Sequence, residues 1–463
     1  MKKRVVLLLA LVAPAAAASA QTPADQQFTR PRTVASPQAT AQQPAQKTTP
    51  PQQPAPQTNT TPGAEQPAPP TQQPANPIQQ PAQSPVVVPV IPVAPPVVLQ
   101  PAEKMSPAKI RAEREEAQRT FRARLTPQAL VSPPLTFVTL AALDPKDSKI
   151  HLLTLPKDTF LQQGAEVTLY SSLGTPLRVR VVRPNYVNTA VVVSDLAGRQ
   201  LAPLLVEYPI EKFGRYREMA YYTSAHPALV TPELVKAGQA YVHTMVDLAA
   251  GRLKQRGINI APEIQDMAER LCVVEHIDHD RFRNEARRTL FEEVYALYAL
   301  NELDTYRYSV STAGAGGMVQ MIPWTYQMLR QRYPAVGLNP DFVLGMRNHG
   351  NALEAMLLYV RDTWSDLNLQ PDISDALLNH VATKQELIAA GYNSNPDKLA
   401  SYIRRGGEAW RTYIPRETQM YLQIYQSFDA LTPIKARAGK EEKATAATAT
   451  TGATPESEAR RNK

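Results

Sequence analysis

Residues 261–276 read APEIQDMAERLCVVEH and combine a helix start, an apolar run and an acidic end. Pro262 in the first helical position predicts that a helix begins here, and the apolar residues 271–274 predict that its last turn is buried. Glu275 follows directly, so its carboxyl loses part of its water, which raises a carboxyl pKa and suits a proton donor near neutral pH. The stretch therefore predicts a helix carrying a candidate acid, Glu275. An acidic residue that simply faces solvent at a helix end would give the same pattern.

The only cysteine of the chain, Cys272, lies in the same apolar run. One cysteine excludes an intramolecular disulfide framework and any cysteine-rich zinc or iron–sulfur site. We interpret Cys272 as a buried structural thiol that helps to form the apolar wall beside Glu275.

Helix signals continue on both sides of this stretch, from Gly214 onward. Thr231 and Pro232 read as a capping residue followed by a proline in the first helical position, and Gly257 ends the amphipathic run that they open. These signals predict a mainly helical region over residues 213–435. Further helices are predicted at residues 285–300, 352–364 and 415–428.

Upstream, residues 128–212 carry a β pattern of short runs rich in Val, Leu, Thr and Tyr, separated by turn candidates. Five or six strands at this spacing predict a small antiparallel sandwich or barrel. This module shows no constellation of catalytic residue types, so its expected role is binding, spacing or docking, including contact with an envelope protein partner. The fold class is therefore α+β, an all-β module followed by a mainly helical one. The predicted strands are residues 135–140, 150–155, 166–170, 177–182 and 189–193.

Residues 101–127 precede the β module and are rich in Glu, Arg, Lys and Ala. Ser106 and Pro107 fit a helix cap and first turn. Because the segment has few apolar anchors, we expect a charged lead-in helix exposed to solvent.

Residues 1–20 have the pattern of a secretory signal peptide. Lys2, Lys3 and Arg4 precede a short apolar run, and Ala-Ser-Ala at residues 18–20 fits a cleavage site. The run is too short for a membrane-spanning helix, and no later segment has about 18 uninterrupted apolar residues, so we expect no integral membrane segment. The expected location is the periplasm or cell envelope.

Composition marks two further segments as unable to form a folded core. About twenty of the 43 prolines lie in residues 21–100, mixed with Gln, Ala and Thr, which predicts a disordered linker. The Ala, Thr, Glu and Lys of residues 436–463 predict a disordered tail. Removal of the signal peptide takes away three basic residues and lowers the net charge from +8 to +5. That excess is too diffuse to indicate nucleic acid as a partner.

Two later segments add candidate ligand contacts. Residues 313–323 read AGAGGMVQMIP, and dense glycine lets a backbone approach a ligand closely. This is not a phosphate-binding loop, because it lacks GxxxxGK[ST]. Residues 391–396 read GYNSNP, in which Tyr392 and Asn393 place an aromatic ring beside an amide, a common sugar-contacting pair. A helix-capping loop is the alternative interpretation.

Taken in order, these features resemble the lytic transglycosylase domain of the soluble type, which has a lysozyme-like helical fold. That family shows a helix ending in Glu-Ser, then Gly-Leu-Met-Gln, then Ala-Tyr-Asn, then Pro-Glu-Thr with a following Tyr. Glu275 stands at the catalytic glutamate, and GMVQ at residues 317–320 stands at the second motif. GYN at residues 391–393 and PRETQMY at residues 415–421 stand at the third and fourth. The resemblance covers roughly residues 229–428.

The resemblance implies peptidoglycan as the substrate, cleaved at the β-1,4 bond from N-acetylmuramic acid to N-acetylglucosamine. Protonated Glu275 would donate to the glycosidic oxygen. Its carboxylate would then take the proton of the muramic sugar's primary hydroxyl, which closes an anhydro ring. This scheme needs no cofactor and no second carboxylate, whereas most glycosidases use two. The residues implied to line the glycan groove are Gly317, Met318, Gln320, Tyr392 and Asn393.

The sequence departs from the family pattern at three points. His276 replaces the usual Ser, some forty residues separate Glu275 from Gly316, and Asn395 stands where the family has Gly. Glu269 is a nearby rival for the catalytic position. These departures keep open a non-catalytic, peptidoglycan-binding envelope scaffold.

A lysozyme-like muramidase is the other open alternative, since it would need a second carboxylate to position a water. The acidic residues close to Glu275 in the sequence are Asp278, Asp280, Glu302 and Asp304. His276 and His279 lie beside two of them, but without an HExxH pattern we predict no metal site.

Overall fold

Seven antiparallel strands and a longer helical region make up the described part of this chain. The structure, a computed structural model, describes residues 98–124 and 135–437. The predicted signal peptide at residues 1–20 lies outside these ranges, as do most of the predicted linker and most of the predicted tail. Among the helices of the described residues, none combines the length and apolar character needed to cross a membrane.

The strands form one sheet that nearly closes on itself. They are β1 (Phe137–Asp144), β2 (Lys149–Pro156), β3 (Glu166–Tyr170), β4 (Pro176–Arg183), β5 (Ala190–Ser194), β6 (Gln200–Lys212) and β7 (Arg215–Tyr222). Their order is β2-β1-β6-β5-β4-β3, with β7 also pairing along β6, and all pairs are antiparallel. The two ends of this order meet, because the N–H of Ser172 donates to the Leu152 carbonyl at 2.9 Å. This near-barrel confirms the predicted antiparallel β region.

The last hairpin of the sheet corrects the expectation that the chain turns helical from Gly214. The residues after Gly214 form β7, which pairs with β6 through Lys212 opposite Arg215. Phe213 and Gly214 make the connection with φ values of 51° and 69°. Positive φ at both central residues is what a two-residue turn between twisted strands requires. The β region therefore extends to Tyr222.

The lead-in helix is packed, and the expectation that it is exposed to solvent is wrong. Helix α1 (Pro107–Ala123) starts at the predicted cap, where the Ser106 hydroxyl accepts from the N–H of Lys109 at 3.3 Å. Its narrow apolar stripe of Ile110, Ala117 and Phe121 is buried. The stripe packs against the sheet together with residues from the following helices. Three anchors on one face are enough to dock an otherwise charged helix.

The helices after the sheet confirm the predicted start and stop signals. The Thr231 hydroxyl accepts from the N–H of Leu234 at 3.3 Å, and Pro232 is the first helical residue. The helices are α2 (Lys157–Phe160) within the sheet region, then α3 (Pro232–Gln255), α4 (Pro262–Val274), α5 (His279–Asn284), α6 (Arg287–Asn301), α7 (Pro323–Arg332), α8 (Phe342–Arg347), α9 (His349–Asn368), α10 (Pro371–Leu378), α11 (Lys384–Asn393), α12 (Leu399–Gly406) and α13 (Arg416–Leu431).

One apolar cluster continues from the sheet into the helices. It includes Val138 and Tyr208 of the strands and Cys272, Phe291 and Phe428 of the helices. Burial of large aliphatic and aromatic side chains is the dominant favourable term in folding. The helices that carry the candidate site therefore rest on the same core as the sheet.

A side chain also fixes the junction between sheet and helices. The amide of Asn301, at the end of α6, accepts from the N–H of Thr223 at 2.8 Å and donates to the carbonyl of Thr223 at 2.8 Å. Thr223 directly follows β7, so the amide pairs with its backbone as a neighbouring strand would. Asn301 is buried, which makes this pair of hydrogen bonds costly to break.

Candidate active site

Glu275 caps the C-terminus of α4 and is almost enclosed by protein. Only 8% of the residue is exposed. The Tyr421 hydroxyl, from α13, donates to Glu275 Oε1 at 2.7 Å. Burial disfavours the ionised carboxylate, whereas a donated hydrogen bond favours it, so both protonation states of Glu275 have support in this environment.

His276 ties the end of α4 to the glycine-rich segment. Its Nε2 donates to the Met318 carbonyl at 2.8 Å. Its ring stacks on Tyr306 with ring centroids 3.4 Å apart and an interplanar angle of 4°. His276 therefore has a structural partner on each side, Met318 and Tyr306.

Tyr392 reaches the same segment from α11. Its hydroxyl donates to the Val319 carbonyl at 2.6 Å. Burial raises the pKa of the Tyr392 phenol well above its ordinary value, and the charge of Glu275 raises it further. Burial likewise raises the pKa of Tyr421, and both the charge of Glu275 and its hydrogen bond add to the effect. Both phenols therefore stay neutral donors near the Glu275 carboxyl.

These contacts bring together residues from all four predicted motif segments. The end of α4 supplies Glu275, the glycine-rich segment meets it through His276, and Tyr392 and Tyr421 arrive from α11 and α13. Four segments that are far apart in the sequence therefore meet in one cluster in space.

Gly317 and Met318 support the site from within the fold. Gly317 has φ 68°, and a Cβ added there would collide with the Met346 carbonyl oxygen. A glycine is therefore required by both backbone conformation and space. The Met318 side chain is fully buried in the apolar cluster, so in this structure its contribution is the carbonyl that His276 holds.

Gln320 and Asn393 present amides. Gln320 has φ 48°, and its NH2 group donates to the Gly317 carbonyl at 2.7 Å and the Ser309 hydroxyl at 3.3 Å. The amide oxygen of Asn393, at the end of α11, is buried and has no hydrogen-bond partner among the described residues. A buried acceptor without a donor is unusual, and a ligand N–H or O–H would satisfy it.

The rival carboxylate Glu269 is engaged elsewhere on α4. Its Oε2 lies 2.7 Å from Arg437 Nη1 and 2.9 Å from His243 Nδ1. Arg437 also pairs with Asp266 at 2.7 Å. The Glu269 carboxylate is therefore occupied by an ion pair with Arg437 and a contact with His243.

The other acidic candidates also have local partners. Asp278 accepts from the backbone N–H groups of Asp280 and Arg281 as the cap of α5. Asp280 pairs with Arg283 at 2.7 Å. Glu302 and Asp304 lie on a short 3₁₀ turn after α6, and burial raises the pKa of Asp304. Within the described residues, no group of three or more His, Cys, Asp or Glu side chains is placed to hold a metal ion.

Cys272 lies in the wall behind Glu275, as predicted. The residue is fully buried, and its Sγ lies 3.9 Å from Met356 Sδ. Burial raises the pKa of its thiol, with the charges of Glu269 and Glu275 adding to the effect. Such a thiol stays protonated and behaves as a small apolar group.

Sequence reasoning missed two aromatic residues here. Tyr306 stacks on His276, and no local sequence signal announces that contact. Trp324, in the first turn of α7, is 69% exposed. A large aromatic directly after the apolar residues 321–323 is a sequence signal by which Trp324 could have been singled out.

A scan against protein-family models, a search of curated proteins and a search of solved structures each find no match for this chain.

Proposed function

We propose that this chain is a peptidoglycan lytic transglycosylase with Glu275 as its single catalytic carboxyl and a lysozyme-like helical region around it. The proposal rests chiefly on the contact between Glu275 and Tyr421 within a cluster that joins four motif segments. Such motifs are weak individually, and their meeting around one buried carboxyl is what a catalytic site requires.

In the first step, protonated Glu275 donates its proton to the glycosidic oxygen that leaves. Burial of the carboxyl disfavours its charged form, as suits a proton donor, and the Tyr421 hydrogen bond opposes this effect. As the proton leaves, the Tyr421 hydroxyl is already placed to donate to the new carboxylate. This hydrogen bond strengthens as charge develops and so stabilises the transition state.

In the second step, the Glu275 carboxylate accepts the proton of the muramic sugar's own primary hydroxyl, whose oxygen closes the anhydro ring. No water enters the product, and Glu275 returns to its protonated state. Because one group serves as acid and then as base, the engagement of Asp278 as a helix cap and of Asp280 with Arg283 does not weaken the scheme.

The neighbouring side chains suit an N-acetylated glycan strand. The amides of Gln320 and Asn393 offer donors and acceptors to acetamido groups. Trp324, four residues after Gln320 in the sequence, has an exposed indole of the kind on which sugar rings pack. The signal-peptide pattern predicts export to the periplasm or envelope, where this polymer lies, and we expect the sheet to be the part that contacts an envelope protein partner.

The test is to incubate purified peptidoglycan with the wild-type protein, Glu275→Gln and Glu269→Gln, and to identify the products by mass spectrometry. Anhydromuramic ends from the wild type and from Glu269→Gln, but not from Glu275→Gln, support the proposal. Products with reducing ends would instead indicate a muramidase. Binding to peptidoglycan without any product would indicate a non-catalytic scaffold.

A further inference from the structure

A cleft lies where the sheet meets the helical region, next to the candidate active site. Its volume is about 370 Å³, including the open solvent at its mouth. One wall is the 3₁₀ turn Tyr186–Asn188 between β4 and β5, preceded by Asn185. The opposite wall contains Tyr306, Tyr308 and Ser309. None of the predicted functional residues lines this cleft.

The cleft contains an unsatisfied acceptor. Asn188 Oδ1 is buried and has no hydrogen-bond partner among the described residues. Native proteins pair nearly all such atoms, so this oxygen is placed to accept a hydrogen bond from a bound molecule. The turn around it is held firmly, because the N–H of Asn188 donates to the Asn185 carbonyl at 2.9 Å and Thr189 Oγ1 donates to the Tyr186 carbonyl at 2.8 Å.

The other residues that line the cleft are mostly tyrosines, and none of them is charged. Tyr308, which is largely buried, has its hydroxyl 3.4 Å from Glu218 Oε2, and burial raises the pKa of its phenol. Tyr222 and Tyr306 are also buried. Amides beside aromatic faces, without a formal charge, fit a neutral ligand that has both an N–H group and an apolar part.

Two contacts connect this cleft to the candidate active site. Tyr306 forms part of its wall and stacks on His276, the residue after Glu275, with centroids 3.4 Å apart. Ser309 also lines the cleft, and its hydroxyl accepts from the Gln320 amide at 3.3 Å. The cleft and the candidate active site therefore share neighbouring residues, which makes one polymer a reasonable ligand for both.

We infer that this cleft binds an acetamido group of an N-acetylated glycan strand. The N–H of the acetamido group would donate to Asn188 Oδ1, and its methyl group would pack against the tyrosine rings. Much of the cleft's volume lies at its open mouth, so the enclosed part has room for one substituent of the glycan and not for a whole strand. The inference rests on the proposed function for its ligand class, and it gives the sheet a part in binding the substrate.

The test measures binding of N-acetylglucosamine tetramer and of its fully de-N-acetylated form to the full chain by calorimetry. We expect the wild type to bind the acetylated tetramer about tenfold more tightly, since the de-N-acetylated sugar lacks the methyl group that packs on the tyrosine rings and brings a charged ammonium to a cleft with no charged lining residue. Asn188→Leu lacks the acceptor, so it should bind the acetylated tetramer more weakly than the wild type does and reduce the difference between the two forms. Gln162→Ala, an exposed amide outside the cleft, is the matched control and should bind as the wild type does.

Hydrogen exchange of the wild-type protein provides a measurement that needs no variant. The acetylated tetramer should slow exchange of the segment around residues 185–189, and the de-N-acetylated tetramer should not. Equal affinity of Asn188→Leu and wild type, or unchanged exchange of this segment, would overturn the inference. These experiments measure binding and hydrogen exchange, not cleavage, so their outcomes are separate from the test of the transglycosylase. If anhydro products form but binding does not depend on Asn188, only the inference about the cleft is rejected.

Discussion

The hydroxyl of Tyr421 donates to Oε1 of Glu275 at 2.7 Å, between residues that lie 146 positions apart in the chain. Helix α13 therefore contacts the end of α4 directly at the candidate site. Both residues are buried, so the hydrogen bond is shielded from competition by water.

We expect Tyr421→Phe to lower the rate of anhydromuropeptide release by roughly tenfold to a hundredfold, because a hydrogen bond to a charged group contributes about 1.5–3 kcal/mol. The measurement is the initial rate on purified peptidoglycan. Tyr425→Phe is the matched control, since Tyr425 lies one turn further along α13 and donates to Met267 Sδ at 3.3 Å instead. Equal losses in the two variants would show that the Glu275 contact has no special role.

Substitutions of His276 should separate its hydrogen bond from its stacking. His276→Phe keeps a ring against Tyr306 but leaves the Met318 carbonyl without its donor, which costs about 1–3 kcal/mol of unfolding free energy. His276→Ser, the residue of the transglycosylase family, loses both contacts and should be less stable still. Urea unfolding measures both values. A Ser variant as stable as the wild type would contradict this account.

Gly317→Ala should destabilise the protein far more than Gly174→Ala. Both glycines have positive φ, 68° and 74°, so both substitutions carry the left-handed penalty of roughly 1–2 kcal/mol. Only at Gly317 would the new Cβ meet backbone, whereas nothing lies within 4 Å at Gly174. We expect an additional cost of roughly 1–3 kcal/mol at Gly317, measured by urea unfolding. Similar losses at both positions would contradict the predicted collision.

Arg437→Ala should cost about 3–5 kcal/mol of unfolding free energy, because it leaves a buried carboxylate without its main charge partner. Arg437 lies 2.7 Å from both Glu269 and Asp266. Adding Glu269→Gln to Arg437→Ala should recover part of that loss, since the unpaired charge is then removed. Thermal unfolding followed by circular dichroism compares the single and double variants, and a double variant weaker than both singles would contradict the pairing.

His226 should make stability fall as the pH drops from 6.5 to about 4. Burial lowers the pKa of His226 from 6.5 to about 4, so in this window the unfolded chain binds a proton that the folded chain does not. The pH dependence from this group amounts to about 3 kcal/mol and is absent above pH 6.5. His226→Asn should reduce the change in unfolding free energy between pH 7 and pH 4.5, while His349, whose pKa burial also lowers to about 4, continues to contribute. The exposed His380, changed to Asn, is the control and should leave the change as in the wild type.

Local signals in the sequence predicted the parts of the fold that local interactions determine. Thr231 and Pro232 predicted the start of α3, and the apolar run before Glu275 predicted the buried end of α4. Strand β7 was missed because its charged sequence, RYREMAYY, reads as a surface segment until β6 pairs with it. Helix α1 was misjudged because three apolar anchors carry little weight in a sequence window but suffice once a sheet faces them.

The candidate site could be predicted as a set of residues but not as an arrangement. The sequence suggested Glu275, Gln320, Tyr392 and Asn393 as candidates, whereas the hydrogen bond from Tyr421 and the stack of Tyr306 depend on contacts between distant segments. It also placed Met318 in the glycan groove, although a methionine side chain that faces a ligand and one that faces the core have the same sequence signature.

The double hydrogen bond between Asn301 and the backbone of Thr223 has a consequence for ligand binding. It fastens the end of β7, where Tyr222 lines the cleft, to the helix that precedes Tyr306, and so restrains the separation of these two lining residues. A glycan strand would therefore meet a preorganised surface, and little of its binding free energy would go into closing a hinge. Association would then be governed by how the strand orders itself rather than by how the protein moves.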